Sequence, residues 1–193
     1  RISALHHFGG KIVFALGQQN KLVEQSIYGK EAQALRSVDP QFAAMPSTQE
    51  QSGHAINHES LIAFKPQCAF VYASFDRAEM RQLEDAGIRV IAVKGETIEE
   101  SFAAVRLMAK VLDCEDKGEA YIADCLRLLS LVRDRIQTIP EGRRLRVAFA
   151  GPKSIYTIAT GEMLQNQMLG MAGAVNVGLS LKGFWSDVSP EQL

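Results

Sequence analysis

Histidines are the side chains of this chain that most readily change charge near neutral pH, and they form two pairs. His6 and His7 are adjacent and directly follow the first predicted strand. Open α/β sheets bind ligands at the carboxyl ends of their strands, so this pair is a candidate for a ligand pocket. His54 and His58 lie four residues apart, a spacing that presents two imidazoles to a metal ion when both are on one helix. Asn57 is the predicted start of that helix, however, so solvated or capping histidines remain the alternative.

The cysteines predict neither a disulfide framework nor a thiolate zinc site. Cys68, Cys114 and Cys125 are odd in number and lack the C-x-x-C spacing. Cys114 and Cys125 could pair only if the turn between them brought their Cβ atoms together. Gly151-Pro-Lys-Ser154 resembles the end of a phosphate-binding loop, but the earlier glycine of that motif is missing. The sequence therefore predicts no catalytic residue, and we expect a protein that is not an enzyme and has no cofactor of its own.

Composition favours an ordinary folded protein. Hydrophobic residues make up 47% of the 193 residues, charged residues make up 22%, and the net charge is -1. These values are atypical of disordered chains and of nucleic-acid-binding proteins, so we expect no nucleic-acid partner. The sequence has no apolar run of the roughly 18 residues that cross a bilayer. Since Arg1 leads directly into the first predicted strand, we expect no signal peptide within these residues.

Short apolar runs alternate with helical patterns over the first half of the chain, which predicts a parallel sheet. The predicted strands are Ile2 to Leu5, Lys21 to Ile27, Ala69 to Tyr72 and Ile88 to Val93. The predicted helices are Gly9 to Leu16, Glu31 to Val38, Asn57 to Phe64, Asp76 to Ala86, and one capped by Thr97-Ile-Glu-Glu100. This first α/β lobe is predicted to span residues 1–112.

The longest helical pattern runs from Glu115 to Ile136 and contains no proline. At 1.5 Å per residue such a helix spans about 30 Å, so it can join two lobes as a rigid strut. We assign residues 113–139 to this linking helix. Arg146 to Ala150 then predicts a strand, and the chain stops at Leu193 as another helix is expected to begin. Residues 140–193 are therefore predicted to be the start of a second, truncated α/β lobe.

Two groups of motifs give this chain a specific resemblance. Gly53 followed by Asn57-His-Glu-Ser-Leu-Ile-Ala-Phe-Lys-Pro66 resembles the G...N-x-E-x-I-x-A-L-K-P-D signature of periplasmic substrate-binding proteins. These serve ABC importers of iron-siderophores, heme and cobalamin. Gly161 to Asn176 is similar to the stretch of that family that ends in A-G-G-x-N, and Val188 to Leu193 to its V-S-x-E-Q-L. Phe64 and Gln67 depart from the usual Leu and Asp.

The resemblance implies a fold, a location and partners. The expected fold is α/β: two αβα-sandwich lobes with parallel sheets, joined by one long helix, with the second lobe incomplete here. The ligand would be an iron-siderophore, heme or a corrinoid, held in the cleft between the lobes. The expected location is periplasmic or otherwise extracytoplasmic, with a lipid anchor as one option, and the expected partner is an ABC importer permease. One glutamate on each lobe pairs with permease arginines in the family, and these positions match Glu59 and Glu191.

Family pockets are lined from loops at the carboxyl ends of the strands. Aromatic side chains there give flat apolar walls for a macrocycle, and Tyr or His can bind iron. The resemblance thus implies a set of ligand-binding residues; these are His6, His7, Phe8, Tyr28, Ser74, Tyr156 and Trp185.

Two other classes stay open from the sequence. A receptor for bare zinc or manganese would also have two lobes and a linking helix, and it would use the four histidines as ligands. An enzyme related to metallocluster assembly would need reactive cysteines or a base beside a nucleophile. We also expect the chain to self-associate, because an unfinished sheet exposes strand edges and apolar faces.

Overall fold

The computed structural model describes residues 1–24, 37, 39–43, 45–48, 56–151 and 153–192. Two units form within the chain. The first unit comprises Arg1–Lys94 and Ala104–Gly118, and the second comprises Gly95–Ala103 and Glu119–Leu193. The predicted division at residues 112 and 139 remains a prediction.

Three parallel strands form the sheet of the first unit. They are β1 (Ile2–Ala4), β2 (Cys68–Tyr72) and β3 (Arg89–Val93), in the order β1-β2-β3. The register pairs Ala4 with Phe70, and all residues of β1 are buried. A helix between each pair of strands returns the chain to the same edge, which is why the strands run parallel.

Seven α-helices lie among the described residues. They are α1 (His7–Ala15), α2 (Pro40–Ala43), α3 (His58–Ala63), α4 (Arg77–Asp85), α5 (Ile98–Val111), α6 (Glu115–Ile136) and α7 (Leu164–Met171). Single 3₁₀ turns occupy Gln19–Lys21, Glu141–Arg143 and Pro190–Gln192. The bounds of α6 are those that the sequence predicts.

Side-chain caps explain where three of these helices begin. The Asn57 side chain accepts a hydrogen bond from the Ser60 amide, and Asp76 accepts from the amides of Ala78 and Glu79. Thr97 accepts from the Glu100 amide, as the capping-box spacing predicts. Each such cap satisfies a first-turn N–H that has no partner within its helix.

The core of the first unit lies where the helices cover the sheet. Its buried members are apolar side chains on β2, α3 and α4 and in the segments that flank β1, α3 and β3; these are Leu5, Ile56, Leu61, Ala69, Val71, Leu83 and Ile88. Gly118 allows α6 to start close against α5, because a Cβ at Gly118 would lie 2.7 Å from the Cβ of Ala109.

The second unit contains two short strand pairs. Strand β4 (Arg146–Val147) pairs in parallel with β6 (Val175–Asn176), and β5 (Thr157–Ala159) pairs antiparallel with β7 (Trp185–Asp187). The buried Asn176 side chain connects them, because its amide donates to the carbonyls of Ala159 and Thr160. Its carbonyl oxygen accepts from the Gly178 amide.

Four sequence predictions need correction. Helix α1 begins at His7 rather than Gly9, because the His6 ring accepts from a first-turn amide. Lys21 lies in a 3₁₀ turn, and pairing with β1 begins only at Leu22, which bridges Ile2. Pro40, which the sequence predicts to stop the helix before it, starts a short helix of its own, and the Asp39 carboxylate accepts from the Phe42 amide. The predicted strand from Arg146 to Ala150 is interrupted, since Ala150 bridges Ile158 instead of continuing along β6.

Some expectations fall outside the described residues, namely the strand end at residues 25–27 and most of the helix predicted at residues 31–38. Cys68, Cys114 and Cys125 are all free, so the option of a bridge between Cys114 and Cys125 is excluded. Among the helices that the structure describes, none is long and apolar enough to cross a membrane.

Candidate functional site

His6 caps helix α1 through its imidazole ring. Its backbone is extended, and its ring atom Nδ1 accepts a hydrogen bond from the Phe8 amide at 3.2 Å. Nδ1 must therefore be unprotonated, so a neutral His6 carries its proton on Nε2. Nε2 is thus the ring atom of a neutral His6 that carries a donor proton.

Four ring side chains meet at the carboxyl ends of β1 and β2. The ring centroid of His6 lies 4.0 Å from that of His7 and 4.6 Å from that of Tyr72. Phe8 meets Tyr72 edge to face at 5.8 Å. We call His6, His7, Phe8 and Tyr72 the first-unit cluster. All four are half-buried, so they combine packed ring faces with accessible edges.

Tyr72 is the member of this cluster that the sequence prediction omits. The signal that could have found it is the strand register, in which Ala4 pairs with Phe70. Extending that register by two residues along both strands places His6 beside Tyr72. The cluster offers apolar ring faces, a phenol and two imidazoles, which together suit a flat ligand that carries a metal or an anionic group.

A second aromatic group lies in the second unit. The rings of Phe149 and Trp185 have centroids 6.4 Å apart, and both side chains are 38% exposed. Gly151 lies against the indole, since a Cβ there would come within 2.8 Å of Trp185 Cε3. Tyr156 is also exposed, and its amide donates to the Ser154 hydroxyl. Phe149 is a second residue that the sequence prediction omits.

The remaining predicted ligand residues are not part of these groups. Ser74 lies in the exposed turn that follows β2, and the Phe75 amide in that turn donates to the Tyr72 carbonyl. Tyr28 lies outside the described residues. The roles of all seven predicted ligand residues stay predictions.

The two predicted docking glutamates are both exposed. Glu59 occupies the first turn of α3, where the helix dipole favours a carboxylate. Glu191 lies in the 3₁₀ turn Pro190–Gln192. A hydrogen bond from the Ser189 side chain, and then one from its own backbone, hold the pKa of Glu191 below its usual range.

The structure offers little for a metal site built on histidines. His58 is the first residue of α3, and its Nε2 lies 3.4 Å from a carboxylate oxygen of Glu79. His54 lies outside the described residues. Within the part of the chain that the structure describes, no group of three or more His, Cys, Asp or Glu side chains could hold a metal ion.

Comparison with known proteins finds similar folds. The molybdate-binding protein MolA of Haemophilus influenzae is 26% identical over 152 residues, which are 68% of this chain and 43% of that protein. Its molybdate-bound structure matches with a TM-score of 0.82 at 21% identity, covering 99% of this chain and 64% of that one. A periplasmic solute binding protein from Veillonella parvula matches with a TM-score of 0.77 at 23% identity, covering 100% and 59%.

A third structure is that of the periplasmic heme-binding protein RhuT from Roseiflexus sp. RS-1 in its apo form. It matches with a TM-score of 0.77 at 18% identity, and the match covers 100% of this chain and 71% of that one. The chain therefore spans between about two fifths and about seven tenths of the length of these proteins. Such matches confirm the predicted mixed α/β fold with its parallel sheet.

The family model described as periplasmic binding protein matches residues 2–193. That span includes both groups of motifs that carry the resemblance in the sequence, and it includes both units. The chain belongs to the periplasmic binding protein family.

Proposed function

We propose that this chain belongs to the extracytoplasmic substrate-binding component of an ABC importer, a non-enzymatic receptor that hands its ligand to a permease. Family membership supports this function, since periplasmic binding proteins work outside the cytoplasm. The single observation that carries the proposal is the first-unit cluster, because it groups four ring side chains at the sheet edge where α/β proteins bind ligands.

The ligand that we propose is an iron chelate, heme or a corrinoid. Ring faces at Phe8 and Tyr72 would pack on a flat organic ligand, while the Nε2–H group of His6 would donate to its polar groups and the Tyr72 hydroxyl would meet its polar or metal centre. Trp185, Tyr156 and Phe149 of the second unit are proposed as further contacts because of their exposure. The heme named in the RhuT structure is consistent with such a ligand class.

A metal oxyanion is the second candidate. His6 and His7 stand at the N-terminus of α1, where backbone N–H groups and the helix dipole favour negative charge. The name of the H. influenzae relative favours the same class of ligand. An oxyanion would use the polar edges of the cluster, whereas a macrocycle would use its ring faces.

The binding experiment compares hemin, ferrichrome, cyanocobalamin and molybdate by titration calorimetry and absorbance, with zinc chloride as a separate arm. We expect Tyr72→Ala to weaken binding of a macrocyclic or chelate ligand by about fivefold or more, because a packed ring contact is worth about 1 kcal/mol or more. Tyr121→Ala is the matched control, since Tyr121 lies on α6 outside the cluster. Binding of zinc alone would favour the metal-ion receptor instead, and binding of none of the five would contradict the proposal.

Permease docking is tested by uptake. We propose that Glu59 and Glu191 pair with arginines of the permease, so Glu59→Lys should reduce uptake while leaving ligand affinity unchanged. Glu84→Lys is the control, because Glu84 is an equally exposed carboxylate on α4. Uptake that survives charge reversal at Glu59 would contradict this role.

A further inference from the structure

A glutamate that none of the proposed roles uses lies at the centre of the first unit. Glu24 is 0% exposed, and so is Ser3. One Glu24 oxygen, Oε1, accepts hydrogen bonds from the Ser3 hydroxyl and, at 3.3 Å, from the Ala4 amide. The other oxygen, Oε2, accepts from the Thr48 hydroxyl at 3.2 Å. Each oxygen thus holds a different segment of the chain.

The first segment leads to the ligand cluster. Ser3 and Ala4 belong to β1, and His6 follows Ala4 by two residues. The chain around Glu24 is itself paired with β1, because the Val23 amide donates to the Ile2 carbonyl at 2.9 Å. Glu24 therefore ties the strand that presents His6 to the segment that follows the 3₁₀ turn.

The second segment leads to the docking helix. The Thr48 carbonyl accepts from the Asn57 amide at 2.8 Å, and Asn57 caps α3, which carries Glu59. Thr48 is 2% exposed, so both of its contacts are shielded from water. A single side chain therefore fixes the starting points of the two elements on which the proposed function depends.

Glutamate suits this position because both of its oxygens are used as acceptors. A buried carboxylate is costly unless hydrogen bonds compensate for lost water, and here three donors converge on it. An apolar residue of the same size would fill the space but leave buried polar donors unmatched. Core packing alone does not call for a charged side chain here.

We propose that Glu24 is a positioning residue that sets β1 with its His6 and the cap of docking helix α3 in one arrangement. This inference rests on the proposed function only in that His6 is assigned to ligand binding and Glu59 to permease docking. The hydrogen-bond geometry stands independently of any ligand.

Amide hydrogen exchange of the chain, measured by NMR, tests the inference. The reporters are the amides of Val23, on the β1 side, and Asn57, on the α3 side; the reference is the Ala73 amide, which donates to the Val93 carbonyl. We expect Glu24→Ala to accelerate exchange at both reporters by about tenfold relative to the reference, the effect of losing a charge-assisted hydrogen bond.

Two further variants separate the two sides. Ser3→Ala should accelerate exchange of the Val23 amide and leave exchange of the Asn57 amide unchanged. Thr48→Val should accelerate exchange of the Asn57 amide and leave that of Val23 unchanged. Glu24→Gln should restore slow exchange, because the amide keeps one acceptor and can donate to the Thr48 hydroxyl. Equal acceleration of exchange at the Val23, Asn57 and Ala73 amides would overturn the proposal, and so would the same exchange pattern in Ser3→Ala and Thr48→Val. Either result would mean that Glu24 contributes only to the overall stability of the fold.

The same variants distinguish this inference from the proposed function. If the exchange pattern splits as expected but no ligand of the binding experiment is retained by the protein, the positioning role stands and the ligand proposal fails. If hemin or another probe binds but exchange accelerates equally at all three amides, the ligand proposal stands and the positioning role of Glu24 fails.

Discussion

At the scale of single residues, the His6 ring is both a helix cap and a member of the first-unit cluster. Its Nδ1 satisfies a helix amide, and its ring face lies beside His7 and Tyr72. Replacing it with Asn would retain a capping oxygen but remove the ring that stacks on His7 and Tyr72. Helix stability and ligand affinity can therefore be separated at this position.

Gly118 is expected to tolerate no side chain. In Gly118→Ala the new Cβ meets Ala109 Cβ at 2.7 Å, an overlap that costs about 1–3 kcal/mol. The better helix propensity of alanine returns up to about 1 kcal/mol, so we expect a net loss of about 1–2 kcal/mol in the free energy of unfolding. Urea denaturation measures this loss. Gly142→Ala is the control, because a Cβ there has nothing within 4 Å; equal effects of the two changes would contradict the packing explanation.

Glu162 is expected to show a low pKa with a defined cause. A hydrogen bond from the Gly183 amide, followed by one from Lys182, holds the pKa of Glu162 below its usual range. The stabilisation is present above the pKa of the unfolded chain and is lost as pH falls through the lower folded-state pKa. In Lys182→Ala the pKa should rise but stay below the usual range, since the Gly183 bond remains. Carbon-13 NMR titration of the carboxyl group measures it, with Lys153→Ala as control; an unchanged pKa in Lys182→Ala would be the contrary result.

The sequence predicts part of the candidate site because one rule needs only local information. His6, His7 and Phe8 directly follow a strand, and strand ends carry ligand contacts. Tyr72 and Phe149 need more, because their roles depend on which residues face each other across strands that lie far apart in the chain. Glu24 is hidden for the same reason: its donors come from β1 and from Thr48.

At the scale of elements, α3 depends on its cap more than a long helix would. It has six residues, too few for helix propensity to maintain it alone. Asn57→Ala should lower the free energy of unfolding by about 1 kcal/mol, and Asn57→Ser should restore most of it, because serine also accepts from a first-turn amide. Thermal denaturation measures both variants. No difference between Ala and Ser would show that the cap does not hold the helix.

Capped elements are those that the sequence predicts well. Asn57, Asp76 and Thr97 each mark a helix start, and the long apolar pattern marks α6 to the residue. The corrected predictions share one cause, because each local signal acts together with a partner elsewhere. Proline is typical of the first turn of a helix, and here Asp39 caps the helix that Pro40 starts. The segment after Arg146 changes its strand partner at Ala150, and no local pattern indicates that change.

At the scale of the whole molecule, apolar side chains on α6 remain exposed. Leu128 and Leu131 are 54% and 53% exposed, and a groove of about 610 Å³ lined by apolar residues such as Leu126 and Met171 lies in the same unit. Exposed apolar area of this kind promotes association. The 193-residue chain should therefore sediment as oligomers at micromolar concentration.

The double variant Leu128→Gln/Leu131→Gln should shift sedimentation towards the monomer without loss of stability, because both side chains are solvent-exposed. Leu145→Gln is the control, since Leu145 is 75% exposed but lies outside α6. A monomeric profile for the unchanged chain would contradict the prediction.

Asn176, the last residue of the stretch that resembles the family, has a structural role in the second unit. Its side chain joins the backbone of β5 to the turn at Gly178, and a Cβ at Gly178 would meet the Ala159 carbonyl oxygen at 2.3 Å. Asn176 and Gly178 therefore hold the backbone of the second unit together. A substitution at either position would disturb that backbone whichever ligand is bound. A designer who wishes to redirect this protein to a new cargo should accordingly vary the ring cluster and leave Asn176 and Gly178 alone.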